Sequence, residues 1–154
     1  MVLLSTNYSL YSIPAMIGLA YYPSFAKNFT MTNRGAFDNM YPRKNIPKLE
    51  AKPNAKIPHE LALKLTRMEA AHYNGMECLP LFGLSVLAAN YAGVAAEKLN
   101  IAAGLFILCR TLYNYVYINQ TKASTSVLRS AVWMLSMTFP AYLCFQAAQL
   151  ASLK

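Results

Sequence analysis

Residues able to hold a charged small molecule recur at helical spacing through the second half of this chain. Arg67, Asn74 and Glu77 are separated by seven and three positions, which stacks them on one helical face, with His72 off the stripe. Further on, Arg110, Tyr113, Asn114 and Tyr117 share a face at spacings of three, four and seven, and "LRS" then adds Arg129 and Ser130. Three guanidiniums with one carboxylate would suit a small ligand carrying both carboxylates and an amine. A plainer reading makes Glu77 the neutralising partner of Arg110 or Arg67 in a structural ion pair, with Asn74 bridging helices. That pairing still leaves at least one arginine without a protein partner. Taken alone, Arg67 reads as a snorkelling cation, and Tyr113 and Tyr117 read equally well as interfacial aromatics.

The elements that must position these groups are apolar. Of 154 residues, 56% are hydrophobic, which is high for a soluble domain of this size. Apolar stretches run from Tyr8 to Ala26, Cys78 to Ala96, Leu99 to Ile118 and Val127 to Leu153, each near the roughly 20 residues that cross a bilayer as helix. The expectation is an all-α integral membrane four-helix bundle, up-down-up-down. It forms a single domain with spans at 8–26, 61–96, 99–118 and 127–153, and a basic cytosolic loop at 27–60. No basic residue precedes Tyr8 and no small-x-small site follows the first apolar core, so that segment reads as a retained helix despite Pro14 and Pro23.

Within this frame the polar stripes fall where charge is expensive. Arg110 lies well inside its span, where a charge costs about 2.5–3.5 kcal/mol on insertion scales, so it must be paired. Helix two should begin near Pro58, with Glu60 at the positive end of its dipole. Ser124, Thr125 or Ser126 should cap the last helix, leaving Arg129 in its first turn. That is the wrong end of a helix dipole for a cation, so Arg129 calls for an anion from helix two or from a ligand.

The formal charge of +8 has an address: nine of the fourteen basic residues, from Lys27 to Arg67, lie between the first two apolar stretches. The positive-inside rule then makes the first and third connections cytosolic and both termini lumenal. Attraction to anionic lipid headgroups accounts for the loop without nucleic acid. Cys78, Cys109 and Cys144 sit in three different spans, which reads as packed thiols rather than a disulfide or metal site. No His/Cys ligand cluster is present, so no metal is expected.

The segments "RMEAAHYNGME", "LPLF", "CRTLYNYVYI" and "LRSAVW", at matching depths in a four-span chain, resemble the MAPEG family, the membrane-associated proteins of eicosanoid and glutathione metabolism. The resemblance covers most of the chain from Pro58 onward. It implies a homotrimer, often of the endoplasmic reticulum membrane, that binds glutathione between adjacent subunits. By analogy Arg67, Asn74, Glu77, Arg110, Tyr113 and Tyr117 would hold the tripeptide, with Arg129 and Ser130 facing its sulfur. The implied activity is glutathione-dependent transfer, or thiol-dependent reduction or isomerisation, of a lipophilic electrophile. The alternative is a non-catalytic lipid-binding or scaffolding protein of the same fold. Ala70 stands where the eicosanoid synthases of the family carry arginine, Tyr73 where one of them does, and "AAHYNG" looks more like the broad branch of the family.

Overall fold

The computed structural model describes residues 6–52 and 54–153. They form five α-helices: α1 (Ser12–Asn33), α2 (Asn45–Ala51), α3 (His59–Ala92), α4 (Ala96–Asn119) and α5 (Ala123–Ala151). The fold is all-helical as expected, with four long helices and a short fifth that the sequence reading did not contain. Of the described helices, α4 and α5 are both long and apolar enough to cross a membrane by composition, with mean hydropathy of 1.4 and 1.2 over their best windows. By the same measure the best windows of α1 and α3, read as spans from their apolar cores, are less apolar.

The 34-residue α3 is the axis, packing against α1, α4 and α5. At about 1.5 Å per residue it extends roughly 51 Å, well beyond the hydrocarbon core of a bilayer. It ends at Gly93, whose φ of 86° lies in the left-handed region. There Val94 N donates to the Ala89 carbonyl at 3.0 Å, closing a tight turn into α4. The main core lies between the long helices around Phe82, Phe106, Val86, Leu99 and Leu143, and the Phe82 and Phe106 rings stack 4.0 Å apart.

At Pro23 α1 is tied to its neighbours. Pro23 lies inside the helix; it has no N–H to donate, and its ring crowds the carbonyl of Leu19 four residues earlier. Asn114 Nδ2 on α4 donates to that Leu19 carbonyl at 3.0 Å. His72 Nδ1 on α3 bonds the adjacent Ala20 carbonyl at 2.8 Å. The helices meet so closely here that a Cβ on Gly75 would lie 2.9 Å from Ala20 Cα. At the opposite end, Asn100 Nδ2 donates to the Thr6 carbonyl and Asn100 Oδ1 accepts from Tyr8 N, both at 2.8 Å, fastening the start of the described chain to α4.

The loop expected at 27–60 is not extended. The first helix continues to Asn33, so Lys27 is a helical residue, buried at 3% exposure and ion-paired with Glu69 of α3. Beyond it, Ile46 and Leu49 on α2 close a second small core with Met31, Ile57 and Leu65. The i, i+3 spacing of Ile46 and Leu49 around Pro47 in the first turn was the available signal. Asn45 ties the loop together, accepting from Asp38 N at 2.9 Å and donating to the carbonyls of Asp38 and Pro42 at 3.1 Å.

Asp38 anchors the far side of this loop. Its carboxylate accepts from Lys48 Nζ at 2.7 Å and from the backbone N–H groups of Met40 and Tyr41. The Lys48 hydrogen bond, against a smaller opposing effect of desolvation, holds its carboxyl below the ordinary value of 3.8. A carboxylate with a depressed folded-state pKa contributes stability above its unfolded value and loses it as pH falls through the folded one. Amide exchange of residues 38–48, followed by mass spectrometry, should therefore be constant from neutral pH down to about 4 and rise below it, once corrected for the intrinsic rate. Asp38→Asn should remove most of that acid dependence.

Candidate functional site

Arg110 is the largest fully enclosed side chain, at 1% exposure. It projects from α4 into the seam with α3, where its Nη2 donates to Asn74 Oδ1 at 2.7 Å. Its guanidinium carbon lies 4.3 Å from the centre of the Tyr113 ring. Its Nε and Nη1 have no hydrogen-bond partner. One turn on, the Tyr117 ring lies 5.5 Å from that of Tyr113 and carries the Arg129 guanidinium 4.6 Å from its centre. Arg129 Nη1 donates to Gln120 Oε1 at 3.3 Å. Asn74, Arg110, Tyr113, Tyr117 and Arg129 thus form one column through α3, α4 and α5.

No carboxylate enters this column. Among the described residues the side-chain ion pairs are Lys27–Glu69 and Lys48–Asp38. Glu77 is exposed and pairs with neither Arg110 nor Arg67. The pairing expected from the cost of a buried charge is therefore absent among the described residues. A cation–π contact contributes about 0.5–2 kcal/mol, less than the several kcal/mol that desolvating an ion costs. Among the described residues Arg110 is undercompensated, with two donor nitrogens unpartnered.

The remaining candidates stand outside the column. Arg67 Nε donates to the Ile118 carbonyl at 3.1 Å, placing a cation at the negative end of α4. Ser130 is exposed, and its hydroxyl donates to the Ser126 carbonyl of its own helix at 3.2 Å. Arg129 is not in the first turn. The last helix begins at Ala123 with Lys122 as N-cap, and Thr125, one of the expected caps, bonds back to the Lys122 carbonyl at 2.6 Å. Arg129 is the seventh helical residue, where the dipole has largely faded. Tyr117 and Gln120 hold it in place.

His72, off the expected stripe, and Asn114, on the polar face of α4 but outside the expected ligand set, are the partners of the carbonyls beside Pro23. The proline marked the need for such partners without showing which helix would supply them. Cys78, one turn beyond Asn74 and buried, approaches Asn74 Oδ1 with its thiol at 3.9 Å.

The family model described as the MAPEG family matches residues 8–149, a range that includes every residue of the column. No curated protein and no solved structure matches the chain.

An arginine retained for structure and one retained for a ligand differ in what their removal does. Replacing an undercompensated buried charge by an apolar residue of similar length is commonly neutral or stabilising, whereas removing one half of a working ion pair costs about 3–5 kcal/mol. Arg110→Met should leave the unfolding midpoint of the unliganded protein in detergent unchanged or raised. A loss of about 3 kcal/mol or more would make Arg110 a structural residue.

Proposed function

The chain belongs to the MAPEG family, and on that premise we propose that it is a membrane-bound glutathione-dependent enzyme acting on a lipophilic electrophile, by transfer, peroxide reduction or isomerisation. The observation that carries this reading is the enclosed Arg110 with Nε and Nη1 unpartnered. Buried donors without acceptors are rare and costly, and a ligand bringing carboxylate oxygens would supply acceptors. Glutathione fits the donor set, having two carboxylates, an amine and a thiol.

In this reading Arg110 and Asn74 bind a carboxylate of the tripeptide in the seam between α3 and α4. Tyr113 and Tyr117 wall the column, each stacked against a guanidinium, and their hydroxyls remain available to the ligand. Glu77, exposed on the same stripe, takes the amine. Arg67 contributes from the end of α4, where it already holds the Ile118 carbonyl. Bound glutathione supplies the nucleophilic sulfur. Exposure of Glu77 in the single chain accords with a site completed by a neighbouring subunit, as in the homotrimer the resemblance implies. The four long helices would cross the endoplasmic reticulum membrane up-down-up-down, with both termini lumenal and the loop around α2 cytosolic.

Arg129 carries the chemistry in this account. A free thiol has a pKa of about 8.5 and is only a few per cent ionised at neutral pH. A guanidinium beside the sulfur that lowered this by about two units would make the ionised form predominant. Ser130 would assist as a hydroxyl donor after leaving the Ser126 carbonyl.

Calorimetric titration of glutathione into the purified protein in detergent should give saturable binding, and its absence would reject the proposal. Arg129→Ala should fold and still bind, because Arg110 and Asn74 lie elsewhere in the column. Its turnover of a generic electrophile at neutral pH should fall by about one to two decades. Part of that loss should return at alkaline pH, where solvent ionises the thiol unaided. Equal turnover of parent and variant across this range would leave the non-catalytic, lipid-binding reading in its place.

A further inference from the structure

Arg129 is held from two sides. The centre of the Tyr117 ring lies 4.6 Å from its guanidinium carbon, and Gln120 Oε1 accepts from its Nη1 at 3.3 Å. Both partners belong to the end of α4: Tyr117 is in its last turn, and Gln120 is its C-cap, where a ψ of 134° takes the backbone out of the helix. Arg129 reaches them from α5, across the connection from Gln120 to Lys122.

The two contacts differ in kind. An aromatic face attracts a cation without fixing its rotation over the ring, whereas a hydrogen bond is directional. A guanidinium carries donors only, so the Gln120 amide must turn its oxygen toward Arg129. The guanidinium is planar and rigid, and the bond at Nη1 therefore sets where Nε and Nη2 point. Neither of those two nitrogens has a hydrogen-bond partner among the described residues.

The acceptor is also neutral. Among the described residues no carboxylate pairs with Arg129. The other ionisable groups of the column are Arg110, Tyr113 and Tyr117 of α4 and Cys78 of α3, and Arg67 of α3 sits at the same end on the Ile118 carbonyl. A carboxylate in place of the amide would offset the charge of Arg129 before any ligand arrived. Glutamine holds the cation and leaves its charge whole. At 3.3 Å the bond is longer than a charge-assisted one usually is, so it guides the guanidinium without competing strongly with an incoming anion.

We propose that Gln120 is the positioning residue for Arg129, and that its neutrality sets how readily the thiol of bound glutathione ionises. The inference rests on the thiolate role given to Arg129. The thiol proton leaves to solvent, the remaining guanidinium donors face the sulfur anion, and Gln120 keeps them aimed at it. Replacing the amide by a carboxylate of the same shape changes charge and little else, which separates this role from packing.

The test is a pH titration of the ultraviolet absorption of the thiolate in glutathione-bound protein in detergent, with S-methylglutathione, which has no thiol, as the blank. The parent, Gln120→Glu and Gln120→Met are compared. In Gln120→Glu the midpoint should rise by about one unit or more. Its turnover of a generic electrophile should fall by about tenfold at neutral pH and return toward the parent's on the alkaline plateau. Gln120→Met, which keeps the length and loses the acceptor, should shift the midpoint the same way by less, and it decides the point if the glutamate variant fails to fold. The Kd for glutathione should stay within about threefold of the parent's in both, because Arg110 and Asn74 lie elsewhere in the column. One midpoint shared by the parent and its variants would overturn the inference and leave the role of Arg129 intact. The same result with lowered unfolding temperatures would make Gln120 a structural cap, which overturns it equally. A parent that binds glutathione without a titrating thiolate would overturn the role of Arg129 itself, and this inference with it.

Discussion

A guanidinium enclosed in a helical bundle without a carboxylate is the constraint around which this structure is organised. Desolvating Arg110 costs several kcal/mol, and the chain returns one hydrogen bond from Asn74 and the face of Tyr113. The surrounding residues are arranged to tolerate that charge rather than to cancel it. Aromatic faces accept a cation without competing for its N–H groups, so Tyr113 and Tyr117 keep two arginines in register while leaving their donors free. A carboxylate from the chain would have closed the column. The acid that stood at the right spacing, Glu77, is exposed.

The same economy of polar groups appears at Pro23. Losing one backbone donor leaves a carbonyl open in an apolar setting, and partners from α3 and α4 bond the carbonyls of Leu19 and Ala20. This fixes how α1 crosses α3, close enough that only glycine fits at position 75 without a shift. It also sets Asn114 apart from the stripe it shares with Arg110, Tyr113 and Tyr117. One face of α4 serves the column, and its flank serves the carbonyl freed by Pro23. The pair of buried Lys27 with Glu69 supports the same crossing two turns away. There, in contrast to the column, a cation is given an anion.

The column was legible in the sequence because charged groups at helical spacing inside apolar runs have few structural uses. Spacing put Asn74 on one polar face and Arg110, Tyr113 and Tyr117 on another, matching depth in the spans brought the two faces together, and Arg129 joined them although its helix starts four residues earlier than expected. Arg67 and Ser130 show the limit of that reasoning. Spacing gives the face of a helix, but the partner of a long side chain depends on where the neighbouring helix ends, and Arg67 meets the last turn of α4. The small core around α2 was hidden for a different reason. Ile46, Leu49 and Ile57 are sparse apolar residues in a strongly basic stretch, and composition outweighed their spacing. Lys27 was read as a loop cation because its partner lies 42 positions away on α3.

The central claim is that Arg110 is held open for a carboxylate brought by glutathione. Calorimetry comparing glutathione with its diethyl ester, on the parent protein and on Arg110→Met, tests it most directly, because the ester keeps the thiol and amine and loses only the negative charges. The account predicts that the parent prefers glutathione by about tenfold or more and that most of this preference vanishes in Arg110→Met. The same preference persisting in the variant would contradict it.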